Sequence, residues 1–193
     1  GGGGAGETAP GPVVTINSVD TCPAMAAKNA AMSCSYSGDP HFNIFAGLNH
    51  HAQGYGEFVL AKSKDDKFRV HICMQPTSQG SRVAVGTGLA VKSRLYNKNE
   101  KNSRITKYVN NRLVSVTEGA KLKNGHITFA DGEQLFGTGG SGDLKLPSSY
   151  CGEIEGICGQ FDPTQKDHIY TNEAGYLVKL DPSEQINYWG GGY

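Results

Sequence analysis

Neither sign of charge predominates in this sequence: 18 Lys and Arg balance 18 Asp and Glu, and no block of like charge accumulates. Such a surface offers no electrostatic case for binding nucleic acid or an anionic membrane. No apolar run approaches the roughly 20 residues that a spanning helix needs, so insertion of a helix into a bilayer is not expected. The start lacks the basic n-region and apolar h-region of a leader peptide. Gly1 stands where an initiator Met would, as in a processed chain or a fragment. There is no Asn-x-Ser/Thr acceptor for N-glycosylation. Also missing are a Gly-x-Ser-x-Gly elbow, a His-Glu-x-x-His helix and a Cys-His signature, so no local motif supports catalysis and an enzyme is not expected.

What is present points to one β-rich domain. A length of 193 residues suits one substantial core better than two. Residues 1–21 are rich in Gly and Pro and read as a flexible arm, although Val13-Val14-Thr15-Ile16 has the composition of a strand. Cys22 to Met32, with Pro23 for a first turn and alanines in its body, predicts one short helix. From Phe42 onward the signals are those of strands: 57–62, 67–73, 82–85, 89–92, 105–109, 112–116, 126–129 and 133–136. Asn110-Asn111, Asn124-Gly125 and Asp131-Gly132 divide them and tolerate the positive φ of tight hairpins. Strands repeated at short spacing predict an all-β antiparallel sandwich. The Gly-rich stretch 137–142 lacks the Lys-Ser/Thr of a phosphate cradle and reads as a loop.

Five cysteines are compatible with an oxidising compartment and equally with buried thiols. His50 and His51 are adjacent, so on a strand they point to opposite faces and cannot chelate as a pair.

Cys34-Ser-Tyr-Ser-Gly-Asp-Pro-His-Phe-Asn-Ile-Phe-Ala-Gly47 resembles the opening of a von Willebrand factor type D domain, in which Gly-Asp-Pro-His leads into an aromatic-rich strand. Three further matches follow in the family's order. Gly54-Tyr-Gly-Glu-Phe-Val-Leu-Ala61 is similar to its second strand, Gly156-Ile-Cys-Gly-Gln-Phe-Asp162 to its Gly-Leu-Cys-Gly-Asn-Phe-Asp hallmark, and Asn187-Tyr-Trp189 to its closing Asn-Ser-Trp. The resemblance covers residues 34–189, leaving 1–33 as arm and helix and 190–193 as a tail. It implies an extracellular, secreted β-sandwich that serves polymerisation or adhesion in a matrix, mucus-like or filamentous assembly. Its expected partners are copies of itself or other extracellular structural proteins. Two other roles are compatible with such a scaffold: a luciferase-like secreted enzyme, and a calcium-dependent adhesion module.

The resemblance also implies site residues. Cys34 and Cys158 match cysteines that are paired in the family. Cys73 and Cys151 then remain as the simplest second pair. Cys22 is left to bond another chain or to remain a buried or tethering thiol. The family's calcium ion would fall on Gln160, Asp162, Thr164 through its carbonyl, and Asp167, but Ala46 and His168 stand where carboxylates would serve. With two carboxylates left for an ion that takes 6 to 8 oxygens, calcium is the candidate cofactor and a metal-free polar turn is the expectation. Asp39-Pro40 matches a bond that some family members break in mild acid; the favoured reading here is a tight entry to the first strand, with Asp39 and His41 satisfying local hydrogen bonds. Gly56 and Glu155 stand where family members carry cysteines, so a thiol-exchange role does not carry over. No cysteine-rich module follows Trp189, which suits a minimal version of the domain.

Overall fold

The computed structural model describes residues 22–39, 41–45, 49–51, 54–94 and 105–158. A short helix, α1 (Cys22–Ala27), precedes β1 (Ala31–Ser37), β2 (His41–Asn43) and β3 (Asn49–His51). A meander follows: β4 (Gly56–Ser63), β5 (Arg69–Pro76), β6 (Ala84–Lys92), β7 (Thr106–Val109) and β8 (Arg112–Ser115). Then come β9 (Lys121–Lys123), β10 (His126–Thr128), β11 (Gln134–Gly137), β12 (Ser141–Pro147), a 3-10 turn (Ser148–Tyr150) and β13 (Ile154–Glu155). They form two sheets, of order β3-β2-β1-β12-β11-β10-β9 and β13-β4-β5-β6-β7-β8, paired antiparallel throughout. This is the all-β sandwich that the strand spacing predicts.

Three local expectations are corrected. The helix predicted to Met32 stops at Ala27, because Asn29 turns left-handed at φ 48° and its N–H donates to the Ala26 carbonyl at 3.0 Å. Ala31 and Met32 then enter β1, where burial outweighs their helical propensity. The runs 82–85 and 89–92 are parts of one strand, β6, which continues through Gly86 and Gly88. The stretch 137–142 is a tight link from β11 into β12 rather than a free loop. A Cβ on Gly86 would lie 1.9 Å from the Gly139 carbonyl oxygen, so glycine is required there by the close approach of two backbones.

Alternation along the strands builds the core. Met32, Cys34 and Tyr36 of β1, with Ile127, Leu135, Leu144 and Leu146, face Leu60, Val70, Ile72, Met74, Leu89 and Val91 of the other sheet. Phe68 and Phe129 meet edge to face, with ring centroids 5.9 Å apart. The β4–β5 turn is held by Asp66, whose carboxylate lies 2.7 Å from Arg69 and 3.1 Å from Lys92. Burial raises the pKa of Asp66, but Lys92 and Arg69 outweigh it and hold the group below its usual 3.8.

Candidate functional site

Two disulfides fasten one side of the sandwich. Cys34 on β1 bonds Cys158, 124 residues away, and both are fully buried. Cys158 runs beside β4, donating its N–H to the Leu60 carbonyl and accepting from Phe45 N–H, each at 3.0 Å. The bridge therefore joins the two sheets. Cys22 on α1 bonds Cys151 just past the 3-10 turn, 129 residues away. This overturns the expected Cys73–Cys151 pair and both readings left open for Cys22. Cys73 lies buried at mid-strand in β5 and takes part in neither disulfide, whereas Cys151 sits on the surface turn against which α1 packs. The bridge makes α1 and the root of the arm part of the domain.

The opposite side is open. Among the described residues β8 and β9 are the end strands of the two sheets and are joined by residues 116–120, so both outer edges lie on one side and neither has a paired strand there. Leu113 pairs with Tyr108 and Leu122 with Ile127, which places both leucines on inward faces, yet they are 37% and 51% exposed. Val114 on β8 is 55% exposed. Phe136 is 47% exposed and stacks on His126, with centroids 4.5 Å apart. Arg112, Lys121 and Lys123 are exposed around these apolar groups. Thr117 holds the link in place, its N–H donating to Thr106 Oγ1 at 2.9 Å.

A third feature was not singled out in the sequence. Glu57, Val59, His71, Cys73 and Ala90 occupy the faces of β4, β5 and β6 turned away from the core cluster, and all are 0–2% exposed. His71 Nδ1 lies 2.6 Å from Glu57 Oε1, and its Nε2 has no hydrogen-bond partner among the described residues. The unbroken apolar run Phe58-Val-Leu-Ala61 is the signal for strands buried on both faces. Burial pushes the His71 pKa below its usual 6.5, and the bond to Glu57 offsets this only partly. The unfolded chain therefore takes up the proton more readily. The stability from neutral, buried His71 is complete above pH 6.5 and is lost as the pH falls below that value towards the folded-state pKa. The fall in Tm between pH 7 and pH 5 is expected to be larger in the parent protein than in Glu57→Gln/His71→Asn. Glu133, whose pKa burial raises, acts with the opposite sign but is common to both proteins and cancels in the comparison. Equal falls would assign the acid sensitivity to other groups.

Asp39 Oδ1 lies 2.6 Å from His41 Nε2, both partly exposed, in keeping with a local hydrogen bond at the entry to β2. Pro40 lies outside the described residues. So do Gln160, Asp162, Thr164, Asp167, His168 and Ala46, and with them the whole calcium expectation. Among the described residues no group of three or more His, Cys, Asp or Glu is placed to hold a metal ion.

Residues 34–174 match the model of the von Willebrand factor type D domain. The chain belongs to that family. Zonadhesin of Oryctolagus cuniculus is 24% identical over 177 aligned residues, which cover 79% of this chain and 8% of zonadhesin. The chain thus spans a small part of that relative's length. Family membership fits the sheet-to-sheet clasp, since the cysteine of the Gly-Asp-Pro-His segment and that of the hallmark are bonded here. Gly56, where the family usually carries a Cys, opens β4 at φ 122°, a conformation in which a Cys side chain would be strained. At the level of the von Willebrand factor type D family, the chain is an extracellular module of adhesion or assembly.

Proposed function

We propose that the chain is a disulfide-stapled structural module that docks protein partners, copies of itself included, on its open side as part of a matrix or filamentous assembly. One observation carries this reading: among the described residues the edges of β8 and β9 are unpaired and lie together, with Leu113, Val114 and Leu122 exposed and Arg112, Lys121 and Lys123 around them. A free strand edge presents unpaired backbone N–H and C=O groups, and the adjacent apolar side chains supply the burial that makes pairing favourable. The covalent bridges hold the opposite side, so the sandwich keeps its shape while the open side is engaged.

The reading predicts association that depends on protein concentration, measured by sedimentation velocity on the oxidised full chain. Leu122→Asp puts a charge into the mouth between the two edges, where the side chain is half-exposed in the monomer. It is expected to weaken association by about tenfold or more, with little change in Tm, because burial of one leucine contributes about 1.5–3 kcal/mol and each 1.4 kcal/mol is tenfold. A variant that associates as the parent does would remove the open side as the docking face.

A further inference from the structure

We infer that the occupant of the open side is the segment Val13-Val14-Thr15-Ile16 from the arm of a second copy, added as a strand along β8. The inference rests on the docking role proposed for that side and names its partner. Leu113 and Leu122 are exposed among the described residues, which leaves their apolar side chains for an added segment to cover. They point inward from the two end strands, and the gap between them takes apolar side chains from a strand laid along either edge. In a strand, side chains two residues apart share a face. Val14 and Ile16 would therefore enter the mouth against Leu113 and Leu122, leaving Val13 and Thr15 beside Val114.

Charge fits as well. Residues 1–21 contain Glu7 and Asp20 and no Lys or Arg, whereas Arg112, Lys121 and Lys123 are exposed at the receiving edge. Opposite charge favours the approach of this segment over the Lys-rich strands elsewhere in the chain. Pro10 and Pro12 lack the N–H that would extend the ladder, so they limit the added strand at its N-terminal end. The arm is rooted at Cys22, which the bond to Cys151 fixes on the donating domain. Each copy then carries one arm and one receiving edge. Head-to-tail donation of this kind closes into a ring or continues as a filament, according to the rotation between neighbours.

The experiment compares three oxidised full-length proteins by sedimentation velocity over a range of concentrations: the parent, Val14→Asp/Ile16→Asp, and Leu122→Asp. A fluorescent peptide spanning residues 7–20, which includes Glu7 and Asp20, is also titrated into Val14→Asp/Ile16→Asp. The expected result is that the parent associates and both variants weaken association by about tenfold or more. The peptide binds the arm variant, and adding Leu122→Asp to that variant reduces the binding by a similar factor. If Leu122→Asp loses association while Val14→Asp/Ile16→Asp keeps it, or if the peptide does not bind, the arm is not the occupant and the open-side reading stands. If both variants associate as the parent does, both conclusions fall. A parent that is monomeric at every concentration overturns donation between copies.

Discussion

Reduction of both disulfides is expected to destabilise the domain by about 8 kcal/mol, whereas replacing Cys34 and Cys158 by alanine with Cys22–Cys151 intact costs about 3 kcal/mol. The difference comes from how the two loops overlap. In the chain-entropy model, the first bridge closes a loop of 124 or 129 residues and contributes about 5 kcal/mol. Once Cys22–Cys151 is made, the second bridge closes a path of only 19 residues, 12 from Cys22 to Cys34 and 7 from Cys151 to Cys158. That shorter closure contributes about 3 kcal/mol. At about 2–4 °C per kcal/mol for a domain of this size, the double alanine variant should melt about 6–12 °C below the parent. A loss of about 8 kcal/mol equals much of the whole stability of an ordinary domain, so the fully reduced chain should be substantially unfolded near physiological temperature. Thermal unfolding followed by circular dichroism, with and without reductant, measures both quantities. A reduced protein that melts with the oxidised one would show that the sheets hold together without their bridges.

Phe129→Ala should cost about 3–5 kcal/mol, or roughly 6–20 °C in Tm. Phe129 is 1% exposed, and its ring packs on Phe68 of the β4–β5 connection, so truncation removes contacts between the two layers and leaves a cavity. The backbone there cannot collapse to fill the space, because the Phe129 N–H donates to the Glu133 carbonyl at 2.8 Å and ties the residue to the β10–β11 turn. Phe136→Ala removes a ring of the same size seven residues on, but that ring is 47% exposed and stacked on His126. It should cost less than about 1 kcal/mol, within the range of aromatic pairing at a surface. Chemical denaturation of the two variants separates these positions. Equal losses would mean that the sandwich core does not run through Phe129.

The features legible in the sequence were those encoded locally. The hairpin strands followed from alternation and from Asn and Gly at the turns; Asn110, Asn111 and Asn124 do adopt positive φ. What was misread depended on contacts distant in sequence. The Ala-Met run after Cys22 has helical propensity, but Ala31 and Met32 pair across to Pro147 and Leu146 of β12, which no local signal announces. Gly86, Gly88 and Gly139 resemble loop residues until two backbones are seen to cross. Lys121-Leu-Lys123 is too short and too charged to stand out as an edge strand. Cys73 and Cys151 are the simplest second pair once Cys34 and Cys158 are matched to the family, and nothing local in the sequence favours another. The actual partner of Cys151, Cys22, belongs to a segment that the sequence marked as outside the domain. Glu57 and His71 each look like surface positions of an alternating strand, and only the second buried face brings them together without solvent.

The most direct test is disulfide mapping by mass spectrometry of the oxidised full chain, digested without reduction. The account predicts two cross-linked peptide pairs from a single chain, one joining Cys22 to Cys151 and one joining Cys34 to Cys158, with Cys73 recovered in neither. A Cys73–Cys151 peptide, or a Cys22 peptide linking two chains, would contradict it. Either result would detach the root of the arm from the clasped domain.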